Sequence, residues 1–173
     1  FAGSDTLATS YILSTAIKQT DYDLILCGRQ SVDGDTAQVG PQIAEHLDIP
    51  QITYVSAVDY DIERETLVVR RQFEDRYQTL EVKGLCLLTI LSNLSVPRYM
   101  NVWDMVAQDQ KEMGVITFQD LDLDKAHIGL GGSPTKVKST ATKQFDKTNE
   151  ILELDAEQAA RAIVDNLKAR HLI

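Results

Sequence analysis

The run "DLILCG" (23 to 28) passes directly into "GRQSVDGDTAQVGPQ" (28 to 42), then into "TAQVGPQIAEHL" (36 to 47) and "QITYVSAVDYD" (51 to 61). No other stretch constrains the fold as tightly. A short unbroken apolar run bounded by turn residues reads as a strand buried on both faces. Val39, Ile43, Ala44 and Leu47 then recur at helical spacing. Pro41 falls in or near the first turn, where a missing N–H costs little. A second strand follows. Strand, helix and strand in this order form the βαβ unit of a parallel sheet. The fold class is therefore α/β, a parallel sheet with flanking helices.

The surrounding sequence extends this frame. Residues 4 to 20, "SDTLATSYILSTAIKQT", read as a helix capped by Ser4 or Asp5. Residues 66 to 84 alternate and carry many charges, as a half-exposed hairpin turning near Glu74 and Asp75 does. "LCLLTIL" (85 to 91) reads as another buried strand, residues 97 to 113 as a loop and helix, and "GVITF" (114 to 118) as an edge strand. From residue 119 the periodicity is lost until a helix at 155 to 172, capped by Asp155, with Ala159, Ala160, Ile163 and Leu167 on one face. A long irregular arm ending in an amphipathic helix is costly within one small domain. The expected division is a nucleotide-binding α/β domain at 1–118 and, at 119–173, an arm and helix docking on a partner subunit.

Composition excludes several roles. With 173 residues and 43% hydrophobic content the chain can bury a core, and its net charge of −9 disfavours nucleic acid as a partner. No apolar run reaches the roughly 20 residues that span a bilayer. Cys27 and Cys86 lie inside apolar runs and read as buried free thiols, not as a disulfide or a zinc site. "DLDLDK" (120 to 125) lacks the Gly and distal Glu of a calcium loop. His46, His127 and His171 are scattered, and no nucleophile–base pair is evident, so neither a metal site nor a catalytic residue is expected. The chain opens without Met and without a signal-peptide pattern. A segment before Phe1 is expected, and with it any targeting information.

The loop at 28 to 42 is where chemistry is expected. Ligands of open α/β sheets bind where strand C-termini feed helix N-termini, whose N–H groups lack partners and carry the positive end of the macrodipole. A phosphate can use both. Gly34 and Gly40 would let backbone approach closely, and Thr36 and Gln38 add donors. Asp35 is expected as the helix N-cap, and Asp33 as an Asx-turn or a partner of Arg29. An ordinary capped turn without a ligand fits the same spacing, which is neither a Walker A nor a "GxGxxG" pattern. Trp103 and Met105 likewise fit either core packing or an exposed docking anchor.

"LILCGRQSVDGDTAQVGPQIAEHL" closely resembles the signature segment of the electron transfer flavoprotein beta subunit family. "FAGSDTLATSYILSTAIK", "VPRYMNVWDM" and "GLGGSPTKV" resemble further segments in the family's order, covering nearly the whole chain. The resemblance implies a heterodimer with an alpha subunit holding a redox-active FAD. It implies that this subunit is a Rossmann-like, adenine nucleotide-binding domain with its own nucleotide: FAD in an electron-bifurcating branch that uses NADH, or structural AMP in the other. "DGDTAQVGP" and "SDTLATS" are similar to the FAD branch. Carried over, Asp35, Thr36, Ala37, Gln38 and Val39 would line the pyrophosphate. Gly28 and Arg29 would lie beside the nucleotide, and Thr6, Thr9 and Ser10 would add hydroxyl contacts. Met100, Val102 and Trp103 match the loop that meets an acyl-CoA dehydrogenase or another flavin dehydrogenase. The first strand–helix–strand of the family fold, with the adenine end of the pocket, is expected before Phe1. The implied location is the cytoplasm of an anaerobic bacterium. A free-standing adenylate-binding module, similar to the universal stress proteins, is the reading outside the family, and the long arm argues against it.

Overall fold

The computed structural model describes residues 1–142 and 151–173. Residues 143–150 of the expected arm lie outside the described residues. Contacts divide the chain into two units, Phe1–Lys136 and Val137–Ile173.

The first unit is mixed α/β. Helix α1 (Thr6–Ile17) leads to strand β1 (Leu24–Gly28), helix α2 (Val39–Leu47), and strands β2 (Gln51–Asp61), β3 (Thr66–Gln72), β4 (Tyr77–Val82) and β5 (Cys86–Ile90). The sheet order is β1-β5-β2-β3-β4. β5 is parallel to β1 and to β2, whereas β2, β3 and β4 form an antiparallel meander. The expected βαβ unit is present, with β5 inserted between its two strands. The turn between β3 and β4 closes at residues 73 to 76, where the Phe73 N–H donates to the Arg76 carbonyl at 2.8 Å.

Alternation of side chains along β5 sends adjacent residues into two different cores. Leu87 packs with Ile43 and Ala44 of α2, alongside Leu13, Ile17, Ile25 and Cys27. Cys86 and Leu88 pack on the opposite face with Ile52, Val55 and Val69. Leu87 and Leu88 are fully buried, each worth about 1.5–3 kcal/mol of transfer free energy. Burial raises the thiol pKa values of both Cys86 and the half-buried Cys27, which are free cysteines. Ser10 and Ser14 are buried at no penalty because their hydroxyls donate to the Leu7 and Tyr11 carbonyls.

Three expectations fail here. β1 is not buried on both faces: it has one neighbouring strand among the described residues, and Leu26 is 57% exposed. "GVITF" forms no strand. Val115 and Ile116 are exposed and pair with no strand among the described residues, and the segment ends in a 3₁₀ turn, Phe118–Asp120. The expected helix after residue 97 shrinks to α3 (Val102–Ala107), capped by Asn101 and followed by a 3₁₀ turn, with no buried residue.

Residues 117 to 136 lie along α1. The Gln19 amide donates to the Asp120 carbonyl at 2.6 Å, and the Asp124 N–H donates to the Tyr11 hydroxyl at 3.1 Å. Gly132 permits the tight turn before Ser133, since a Cβ there would lie 2.2 Å from backbone of His127 and Ile128. In the second unit, helix α4 (Ala156–Ala169) is capped by Asp155, which accepts from the Gln158 N–H at 2.9 Å. Among the described residues, no helix is long and apolar enough to cross a membrane.

Candidate functional site at the carboxyl edge of the parallel strands

α1 precedes β1 and α2 follows it, so the N-termini of both helices meet at the carboxyl edge of the parallel strands. The Thr6 hydroxyl donates to the Gln38 side-chain oxygen at 2.9 Å and ties the two together. Gly40 sets how closely α2 lies on the sheet: a Cβ there would fall 2.8 Å from the Thr89 methyl. Its close approach is thus to β5, not to a ligand.

The loop differs from the expected capped turn. The cap position of α2 is Gln38, which makes no side-chain bond to the helix, and Asp35 lies three residues upstream. Asp35 has φ 52° and Ala37 φ 54°, left-handed conformations that cost a non-glycine residue about 1–2 kcal/mol. The Asp35 N–H donates to the Ser31 carbonyl at 3.0 Å, and its carboxylate accepts from the Gln30 amide. The Ser31 hydroxyl, then the Gly34 N–H, hold the Asp33 carboxyl below its ordinary pKa. Arg29 does not pair with Asp33, for its Nε donates to the Gln30 side-chain oxygen at 2.9 Å. Both acids therefore fold residues 30 to 35 upon themselves.

That leaves a row of donors. Among the described residues, the N–H groups of Thr36, Ala37 and Gln38 have no acceptor. Alternating left- and right-handed residues turn successive N–H groups into an anion-binding concavity. Ala37 and Gln38 have these two conformations, at the start of an uncapped helix. The donors suit a phosphate, and the exposed Thr36 hydroxyl adds one more.

The expected site residues divide into groups. Gly28, Arg29 and Asp35 line one cavity of about 580 Å³ with Leu91 and Ser92. Thr36, Ala37, Gln38 and Thr6 adjoin it through the loop and the Thr6–Gln38 bond. Val39 packs in the helix-side core, so only its backbone faces the turn. Thr9 is half-buried on α1. Ser10 is wholly buried, with its hydroxyl bonded inside α1, and offers no ligand surface. Met100, Val102 and Trp103 stand apart in a segment whose side chains point to solvent. Trp103 is 82% exposed, which removes core packing as its role in this chain. Among the described residues, no group of three His, Cys, Asp or Glu could hold a metal ion.

Sequence reasoning placed the cap of α1 at Ser4 or Asp5, and Asp5 is that cap, but it missed the distant partners that close it. The Asp5 carboxylate accepts from the Ala8 N–H at 3.0 Å and from the Thr135 N–H at 2.9 Å. The Asp5 N–H donates to the Ser133 hydroxyl at 2.8 Å, which itself donates to the Gly129 carbonyl at 2.7 Å. Desolvation pushes the Asp5 pKa up, but these bonds outweigh it and hold it below its ordinary value. No local pattern links residues 130 positions apart.

Comparison with known proteins decides the family. The model of the electron transfer flavoprotein domain matches residues 1–121. The chain belongs to the electron transfer flavoprotein family. Its similarity to beta subunits places it in that branch: it is 48% identical over 173 residues to "Electron transfer flavoprotein subunit beta" of Clostridium acetobutylicum. That match covers 100% of this chain and 66% of the relative. It is 39% identical over 175 residues to "Caffeyl-CoA reductase-Etf complex subunit CarD" of Acetobacterium woodii, again with 100% and 66% covered. It is 40% identical over 181 residues to "Protein FixA" of Azotobacter vinelandii, with 99% and 64% covered. The chain thus spans about two thirds of the length of the curated relatives it matches. Family membership sets aside the free-standing adenylate module.

Proposed function

We propose that this beta-type flavoprotein chain holds the pyrophosphate of FAD over residues 28 to 39. We propose further that it works in a heterodimer with an alpha subunit carrying a second FAD. The observation that carries the reading is the row of unpartnered N–H groups at Thr36, Ala37 and Gln38, held by a strained loop at the start of an uncapped helix. Strain of this kind persists where the surrounding structure over-determines the backbone, and it clusters at ligand sites. In this reading the Thr36 and Gln38 side chains and the loop N–H groups bind and orient the phosphates, while Arg29 supplies the positive charge beside them. FAD, when bound, would supply acceptance of an electron pair from NADH and its onward passage as single electrons. The same loop would hold the phosphate of AMP in a structural role.

The exposed segment with Met100, Val102 and Trp103 is assigned to docking on an acyl-CoA dehydrogenase or another flavin dehydrogenase. A buried aromatic anchor at a partner interface often dominates binding. Two relatives bear names with CoA-thioester reductases, caffeyl-CoA and acryloyl-CoA, which supports a partner of this class. The arm from 119 to 173 is assigned to the alpha subunit and the complex to the cytoplasm of an anaerobic bacterium. The test is the nucleotide released from the denatured full-length heterodimer: two FAD per heterodimer are expected. One FAD and one AMP would overturn the FAD assignment. In the same preparation, Trp103→Ala should slow electron transfer to the partner without altering cofactor content.

A further inference from the structure

At the edge of the sheet opposite the loop, a cavity of about 760 Å³ opens between the amino ends of β1 and β5 and the β2–β3 turn of the meander. Its floor is Leu24, Leu67 and Val82, half-buried side chains that pack on the same core cluster as Val55, Val69 and Leu88. Register sets two of them and one wall in a row across the meander: Tyr60 lies opposite Leu67, and Leu67 opposite Val82. Tyr60 and Leu85, both exposed, form the walls, and the exposed Asp23 and Glu65 complete the rim.

The lining holds two carboxylates and no cation. Among the described residues, neither Asp23 nor Glu65 is in an ion pair. The Arg64 side chain, on the same turn as Glu65, is already shared between Asp61 at 3.6 Å and Glu81 at 3.5 Å. An apolar floor beneath unpaired acids suits one kind of group, a long aliphatic stem with a cationic tip. The methylenes cover the floor while the tip meets the acids. A purely apolar group would desolvate both carboxylates without pairing them. A second copy of this chain is opposed by like charge, since each carries a net charge of −9.

We propose that this mouth receives a lysine or arginine side chain of the alpha subunit, its stem over Leu24, Leu67 and Val82 and its cationic end at Asp23 and Glu65. The proposal rests on the heterodimer given under Proposed function. Position favours this occupant. β5 has five residues, so about 16 Å of strand separates the mouth from the nucleotide loop. A dehydrogenase that exchanges electrons must approach the flavin, whereas a contact at the far edge serves a lasting association and leaves the cofactor edge free.

The test mixes the full-length heterodimer with excess labelled alpha subunit and times subunit exchange at low and at high salt. Asp23→Asn combined with Glu65→Gln keeps both side-chain sizes and removes both charges. It should speed exchange at least about tenfold at low salt, because losing one side of a covered charge pair acts on dissociation. High salt should speed exchange of wild type more than that of the double variant. Glu63→Gln, on the same turn but outside the lining, should stay within about twofold of wild type. An unchanged rate in the double variant, or an equal rise with Glu63→Gln, would overturn the mouth as the seat and leave the heterodimer standing. A wild-type chain that forms no complex with the alpha subunit overturns the heterodimer reading itself, and this proposal with it.

Discussion

The N-termini of α1 and α2 meet at one edge of the sheet, yet they are finished in opposite ways. At α1 the start is closed: Asp5 accepts from Ala8 and Thr135, and Ser133 takes the Asp5 N–H. At α2 the start is open: Gln38 makes no cap, Pro41 has no N–H, and the preceding donors have no acceptor among the described residues. Both helices follow an aspartate in the sequence, so composition does not distinguish them. Whether the chain itself satisfies the first N–H groups does. A satisfied terminus is architecture, and an unsatisfied one next to a cavity is a place for an anion.

The contrast is broken most strongly at α1. Asp5→Ala removes the cap and the anchor for Thr135, and should cost about 1–2 kcal/mol in urea denaturation of the full-length protein. Its sign with pH is set by the lowered folded-state pKa of Asp5. The contribution is fully present above the ordinary value of 3.8 and is lost as pH falls through the lower folded value. Wild type should therefore lose stability in that acid window, and Asp5→Ala should lose less. Parallel pH profiles for the two proteins would contradict this.

A sharper version gives α2 an acid at its start, as α1 has. Gln38→Asp puts a carboxylate beside the free donors. With the αR backbone of residue 38 and no N–H on Pro41 it caps poorly, so stability should change by about 0.5 kcal/mol or less. Nucleotide retention by the heterodimer after dialysis should fall at the same time, because the new charge takes the place of the phosphate. A gain in retention would mean that the donors at residues 36 to 38 are not the phosphate seat.

The smallest expected effect is at Asp35. It is no cap, and its carboxylate only accepts from Gln30. Asp35→Ala should cost roughly 0.5 kcal/mol or less, as exposed positions do. Asp35→Asn should be closer still to wild type, because Asn tolerates φ > 0 well. A loss matching that of Asp5→Ala in the same denaturation series would restore Asp35 as a capping residue.

Much of this was legible in the sequence. β1, α2, β2, β5, the hairpin and the α1 cap follow from periodicity and turn residues, because each depends on neighbours a few positions away. "GVITF" misled because alternation describes a strand only where another strand is there to pair with, and Val115 and Ile116 have none among the described residues. The helix start was placed at Asp35 because Asp is a good cap. The chain instead spends three more residues before α2 begins, and Asp35 and Ala37 are left-handed without being glycine. The bond from Thr6 to Gln38 and the closure of α1 by Ser133 join distant segments, and no spacing announces such pairs.

The closure of α1 also has a consequence for the order of events during synthesis. Thr135, the partner of Asp5, emerges from the ribosome 130 residues after it. Until then the first turn of α1 lacks its outer anchor, and Thr6, which holds Gln38, sits on a fraying end. The loop at 28 to 42 is complete in sequence by residue 42, but the helix end it is tied to is anchored only after residue 135. On the reading proposed above, a nucleotide arriving before then would meet a seat whose Thr6–Gln38 side is not yet held.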